Sequence, residues 1–173
     1  LEEDINKVQP TQFYEQPPKL FWNCGPQQST EFMPMTSEKA GDDIFRRMVG
    51  RGSALADIDG DGDLDILITA SGSAPRLLRN DQKLNRHWLQ LKLVGKAPNL
   101  DALGASVKVH VGDQVMRREV NATRSYLSQS DIVLSFGLGE STKVDKIEIR
   151  WPDGTTQQVD ALEVDKRHEV KQP

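Results

Sequence analysis

The sequence predicts a mainly β protein, with a hairpin region followed by an antiparallel β-sandwich or small barrel. Two observations predict it. From residue 87 onward, apolar and polar residues alternate with period two, and Gly, Pro, Asn and Asp interrupt the alternation at short intervals. Before that, a run of aspartates stands between two segments rich in small and β-branched residues. Strands joined by turns account for both patterns.

Composition favours a folded domain with one acidic feature. Hydrophobic residues make up 36% of the 173 residues and charged residues 28%, a balance typical of globular proteins. The net charge is -4, and five of the 26 acidic residues fall within residues 57–65. Because the acidity is local, it indicates a cation site and argues against nucleic acid, whose phosphates attract basic surfaces.

The cysteine count, the length of the apolar runs and the first residues limit which other classes of protein the chain can belong to. Cys24 is the only cysteine, so no intramolecular disulfide or cysteine-rich zinc site can form. The apolar runs fall short of the ~20 residues that span a bilayer. The sequence opens on Leu1 followed by three acidic residues, neither a Met nor a signal peptide, so we expect a piece of a longer chain.

The first fifty residues are the least regular. Five prolines interrupt short apolar clusters, which leaves room for short strands and turns. Residues 37–48 are compatible with a short helix, because Ser37 can cap it and Ile44, Phe45 and Met48 fall near helical spacing.

Two strand segments follow the aspartate run. Residues 64–69 and 76–79 are predicted strands, and Asn80 and Asp81 form a turn. We place the domain boundary here, with a first region of residues 1–84 and a second of residues 85–173.

The second region supplies the predicted sandwich. Residues on alternate positions of four segments share one face, and no helix is required after residue 85. The four apolar sets are Leu89, Leu91 and Leu93; Val107, Val109 and Val111; Ile132, Leu134 and Phe136; and Ile147, Ile149 and Trp151.

The aspartate run has the spacing of a metal loop. Carboxylates stand at its odd positions, with Gly60 and Gly62 where the chain must bend. Unit charges ~4 Å apart repel by about 4 kcal/mol at a surface-like dielectric, so this many carboxylates in a folded loop favour a bound cation. The candidate ligands are Asp57, Asp59, Asp61, Asp63 and Asp65.

Calcium is the expected ion. It takes six to eight oxygen ligands in a forgiving geometry, whereas magnesium keeps several waters and zinc prefers nitrogen and sulfur. A helix-loop-helix calcium site needs Glu at position twelve of the loop, and Ile68 stands there. We therefore expect a β-hairpin loop that Asp65 closes, with an ion that stiffens the structure.

Residues 52–78 resemble an FG-GAP/VCBS repeat, the calcium-loop unit of integrin-type β-propellers. The resemblance rests on Gly52, the aspartate run and the strands beside it. It implies a propeller-blade-like calcium hairpin region in which Asp57, Asp59, Asp61 and Asp65 bind the ion by their side chains and Asp63 by its carbonyl. Residues 19–23 and 31–32 are similar to the strands of a preceding repeat.

Residues 87–170 resemble the ASPIC/UnbV domain. The resemblance rests on Gly104-Ala105, residues 118–120, residues 125–130, residues 136–139 and residues 149–154. This family is a non-enzymatic module that follows such repeats in extracellular proteins. The resemblance implies a secreted or cell-surface protein, periplasmic if bacterial, with the neighbouring blades of a longer propeller beside it.

A second candidate site is a polar segment that could contact a protein or carbohydrate. Its residues are Ser125, Tyr126, Ser128, Gln129 and Ser130. The alternative is a loop that satisfies its own backbone.

Two functions remain open on the sequence. A non-catalytic, calcium-stiffened interaction module is favoured, with self-association through an exposed blade edge as a further possibility. The alternative is a metal-dependent hydrolase, or an accessory part of one, that uses the loop of residues 57–65 to activate water. The sequence supplies no base for that chemistry and lacks the Gly-x-Ser-x-Gly turn of a serine hydrolase.

Overall fold

The computed structural model describes residue 4 and residues 7–11, 13–25, 29–126 and 128–173. Its residues divide into two compact units. The first comprises Leu1–Ser53 with Leu67–Leu78, and the second Ala54–Ile66 with Arg79–Pro173. The domain boundary predicted at residue 84 divides the chain in sequence order, and it stays a prediction.

The first unit begins with short elements, as its prolines predict. Strands β1 (Phe21–Asn23) and β2 (Phe32–Pro34) form an antiparallel hairpin with Trp22 opposite Met33. Helix α1 (Ser37–Ala40) and a 3-10 turn (Asp43–Phe45) follow. The helix expected in residues 37–48 is only four residues long, because Gly41 leaves helical geometry at φ 78°.

Three strands surround the aspartate run. They are β3 (Gly50–Ala56), β4 (Asp65–Ala70) and β5 (Arg76–Leu78), in the order β3-β4-β5. The strands predicted at residues 64–69 and 76–79 are confirmed to within one residue. Ile68 is buried within β4, as its place in a strand requires.

The second unit contains two larger sheets and a small hairpin. The strands of the larger sheets are β6 (His87–Val94), β7 (Ser106–Val111), β8 (Gln114–Glu119), β11 (Leu134–Gly139), β12 (Lys146–Arg150), β13 (Thr156–Val159) and β14 (Lys166–Lys171). One sheet has the order β11-β6-β14 and the other β13-β12-β7-β8. Strands β9 (Thr123–Ser125) and β10 (Ser128–Gln129) pair separately.

The predicted sandwich is confirmed. Leu89, Leu91 and Phe136 of one sheet share a buried core with Val109 and Ile147 of the other. The described strands form several sheets and no closed barrel, so the barrel alternative is excluded for them. Neighbouring strands of these two sheets are antiparallel except β14, which runs parallel to β6.

Candidate metal centre

The loop between β3 and β4 brings three carboxylates together. Gly60 and Gly62 turn the chain at φ 77° and 97°, a region that side chains rarely adopt. One carboxylate oxygen from each of Asp57, Asp59 and Asp61 lies within 4.8 Å of the other two. The first three odd-numbered residues of the loop therefore face a common point.

Asp57 fixes the shape of the loop. Its Oδ1 accepts the Gly60 N–H at 2.8 Å and its Oδ2 accepts the Gly62 N–H at 3.0 Å. The Gln90 side-chain amide, from β6 of the same unit, donates to Oδ2 at 2.8 Å. Asp61 makes a smaller closure, because its Oδ1 accepts the Asp63 N–H at 3.0 Å.

Asp65 holds the base of the loop. It is 1% exposed, its Oδ2 accepts the Ile58 N–H at 2.9 Å, and its Oδ1 accepts the Asn80 N–H at 2.8 Å. One carboxylate thus ties the start of the loop to the segment after β5. Each oxygen keeps a second lone pair, so Asp65 can also bind an ion, although it lies outside the group of three carboxylates.

Asp63 also lies outside that group. Burial raises the pKa of its carboxyl, and the charges of Asp61, Asp57, Asp65 and Asp59 add to the rise. These causes show that the loop concentrates negative charge, which a cation would relieve. Ion binding by the backbone carbonyl of Asp63 remains an expectation from the family resemblance.

Two contacts of the loop were not predicted from the sequence. Alternation with Leu89 and Leu91 predicts that Gln90 lies on the polar outer face of β6, yet it is 2% exposed and its amide donates to Asp57. Trp88 lies two residues earlier on that face. A Cβ on Gly62 would lie 2.2 Å from its ring, so the loop passes directly against the indole.

The segment of the second candidate site forms the β9–β10 hairpin. Tyr126 is 77% exposed. Burial in the core would have excluded a surface role for it, and it is not buried there. Ser125 and Gln129 are exposed and Ser128 is half-buried. Ser130 differs, because it is buried and its Oγ accepts the Leu55 N–H at 3.1 Å. Ser130 is therefore part of the support of β3, and ligand binding by the other four stays a prediction.

The donor set of the loop suits a hard cation. The clustered side chains offer only carboxylate oxygens, which calcium prefers and zinc does not. Arg79 lies at the rim of the loop, with its Nε 3.7 Å from an Asp59 oxygen and 2.7 Å from an Asp81 oxygen. A guanidinium at the rim leaves the point between the three carboxylates open to an ion.

Comparison with known protein families finds a match in each of the two regions. The FG-GAP repeat matches residues 49–83, and the family described as ASPIC and UnbV matches residues 95–173. The chain therefore contains an FG-GAP repeat followed by an ASPIC/UnbV domain, as the sequence motifs predicted. The aspartate loop lies inside the FG-GAP match.

Among curated proteins, the chain is similar to cartilage acidic protein 1. It is 30% identical to the Homo sapiens protein over 118 residues, covering 66% of this chain and 18% of that protein. It is 31% identical to the Xenopus tropicalis protein over 109 residues, covering 61% of this chain and 16% of that one. The chain thus spans about a sixth of the length of these relatives. Among the described residues, no helix is long and apolar enough to cross a membrane.

Proposed function

We propose that this chain is a non-catalytic calcium-binding interaction module of an extracellular protein. The observation that carries the proposal is the convergence of Asp57, Asp59 and Asp61 within 4.8 Å on a glycine-bent loop. The FG-GAP match adds weight, because repeats of this family generally bind calcium. The ion would stiffen the turn and relieve the repulsion among its carboxylates.

Calcium is expected to raise the melting temperature by roughly 5 to 10 °C at a hundredfold excess over its dissociation constant. Ligand that binds only the folded state contributes about 2.7 kcal/mol there, and each kcal/mol shifts a chain of this size by about 2 to 4 °C. Calorimetric titration, with melts in calcium, in magnesium and in excess chelator, measures it. The double variant Asp59→Ala with Asp61→Ala should lose both the binding and the shift.

A matched control removes the same charge elsewhere. Asp101 and Asp113 are exposed aspartates of the second unit, outside the loop, and their double alanine variant should bind calcium as the parent chain does. No saturable binding by the parent chain, together with equal melts in calcium and chelator, would reduce the aspartate run to a solvated turn.

The non-catalytic assignment is supported by the groups that reach the carboxylates. Gln90 donates an amide N–H, and Arg79 offers a guanidinium that stays protonated. Neither can act as a general base toward a metal-bound water, which a hydrolase would require. The names of the relatives carry no enzymatic activity.

The exterior of the first unit supports a place beside further propeller blades. Apolar residues on both faces of the β1–β2 hairpin are 44% to 59% exposed: Phe21, Trp22, Phe32 and Met33. A two-stranded hairpin is marginal alone, so we propose that a neighbouring blade of a longer chain covers it. In the isolated chain a second copy would take that place.

Sedimentation equilibrium should therefore show concentration-dependent dimers of the isolated chain. Trp22 and Met33 are cross-strand partners on one hairpin face, so replacing both with Ser should shift the equilibrium to monomer. Leu100 and Val115, exposed in the second unit, provide a matched double Ser control that should leave dimerisation unchanged. A parent chain that is monomeric at all concentrations would contradict the self-association.

Extracellular location follows as a proposal from the same observations. Calcium modules of extracellular proteins bind at roughly 10⁻⁴ to 10⁻³ M, which suits calcium levels outside cells. The relatives are named cartilage acidic protein 1, and the ASPIC/UnbV match covers residues 95–173. Within the interaction role, we propose a protein or carbohydrate as partner, and the net charge of -4 disfavours nucleic acid.

A further inference from the structure

The outer face of the four-stranded sheet of the second unit carries a basic depression. Its register places Lys108 of β7 between Arg117 of β8 and Glu148 of β12, and places Arg150 opposite both Ser106 and Thr156. Alternation directs these side chains away from the core, where Val107 and Ile149 point inward. A cavity of about 480 Å³ lies over this part of the face. Its size is within the range of small-ligand sites.

Positive charge in the depression is in excess. Lys108, Arg117 and Arg150 line it, and Glu148 is its one acidic side chain among the described residues. Glu148 is already engaged, because Lys146 Nζ lies 2.6 Å from its Oε1. That ion pair, more than any other contact, lowers the Glu148 pKa. His110 Nε2 lies a further 3.4 Å from the same oxygen without a hydrogen bond.

The three lining cations form no ion pair within the part of the chain that the structure describes. Lys108 and Arg117 are also direct cross-strand partners, an arrangement of like charges that costs stability. A bound anion would offset that cost. Lys108 also faces Glu148, whose pKa its charge helps to lower, so the fold offsets only part of that cost.

The remaining lining groups indicate what kind of anion fits. Ser106, Thr156 and Gln158 add hydroxyl and amide groups, which donate and accept hydrogen bonds. Ile149 also borders the depression, but its side chain is buried in the core. The face therefore offers cations and neutral polar groups without an apolar pocket for the hydrophobic anchors of a peptide.

We propose that this depression binds an acidic polysaccharide, through its carboxylate or sulfate groups and the hydroxyls between them. Arginine presents a planar fork that matches such groups by two hydrogen bonds, and both arginines border the same cavity. The inference rests on the proposed interaction role and names its partner class. It is independent of the calcium loop, which shares no residue with this face.

Calorimetric titration of the full chain tests the site. The probes are a heparin tetrasaccharide and a chondroitin sulfate tetrasaccharide, a hyaluronan tetrasaccharide that carries only carboxylates, and neutral dextran. We expect saturable binding of the acidic sugars, weakening with salt, and none of dextran. The triple variant Lys108→Gln, Arg117→Gln and Arg150→Gln should raise the Kd by roughly tenfold or more.

Two further variants separate this site from general attraction. Glu148→Gln removes the lining acid, so the Kd should fall severalfold, which a purely structural role of the face does not predict. The control triple variant Lys83→Gln, Arg124→Gln and Arg167→Gln removes the same charge from exposed positions elsewhere and should bind as the parent does. Equal losses in the two triple variants would overturn the proposal.

Macromolecules of other classes provide the remaining outcomes. Polyglutamate or single-stranded DNA that binds as tightly as the acidic sugars would overturn the polysaccharide assignment. Each variant should keep the calcium-dependent rise in melting temperature, which confirms its fold. Because that rise is measured on the same samples, a failure of sugar binding is distinguished from a failure of the calcium proposal.

Discussion

Replacing Trp151 with Ala should cost about 3 to 5 kcal/mol of the free energy of unfolding of the second unit. The side chain is 1% exposed within the core shared by the two sheets, and its Nε1 donates to Gln157 Oε1 at 3.0 Å. Its backbone also closes the turn that follows, because its N–H donates to the Thr155 carbonyl at 2.8 Å. The loss therefore combines a large cavity with an orphaned hydrogen-bond partner.

Hydrogen exchange of the β7 and β12 amides measures this loss of stability within the second unit. Each 1.4 kcal/mol is a tenfold change, so these amides should exchange roughly a hundredfold to a few thousandfold faster. Trp151→Phe keeps most of the volume and should cost about 1 kcal/mol. Trp22→Ala, at 59% exposure in the first unit, is the matched control. Equal exchange in both alanine variants would contradict the sandwich core as described.

Replacing Asp65 with Ala should cost about 3 to 6 kcal/mol even in the absence of calcium. Its two oxygens accept the Ile58 and Asn80 N–H groups in a buried site, and hydrogen bonds to charged groups contribute about 1.5 to 3 kcal/mol each. Without the carboxylate, both donors are left without their partner. The base of the loop should open before any question of metal binding arises.

Asp59→Ala separates this scaffold role from ligation. Asp59 is exposed, and its contact with Arg79 at 3.7 Å is the kind of surface ion pair worth little. In chelator its alanine variant should unfold within about 0.5 kcal/mol of the parent, while losing most of the calcium effect. A loss for Asp65→Ala that appears only when calcium is present would show that Asp65 acts as a ligand alone.

The sequence was most informative where one physical pattern decides the structure. Period-two alternation located β6, β7 and β12, because a residue on the wrong face of a sandwich strand would expose the core. The aspartate spacing likewise located the loop, since bends at Gly60 and Gly62 leave three of its five carboxylates facing one point. Both are short-range patterns, readable within a few residues.

Long-range contacts were beyond such patterns. Gln90 reads as an outward polar residue of β6, and only the loop 33 positions earlier, folded over it, makes it buried. Ser130 reads as part of a polar recognition segment, yet a hydrogen bond to Leu55 turns it inward. The parallel pairing of β14 with β6 is equally invisible, because alternation is the same in either direction.

The route of the chain through the two units bears on how the molecule can be divided. Strands β3 and β4 each begin in one unit and end in the other, so residues 54–66 belong to the unit that contains the C-terminal sandwich. A recombinant fragment that starts at residue 85 would lack the cover over Trp88 and Gln90. A blade fragment that ends at residue 84 would in turn lack Gln90, whose side-chain amide donates to Asp57. A fragment that is to keep the aspartate loop with both of these contacts has to include residues 54–66 together with β6.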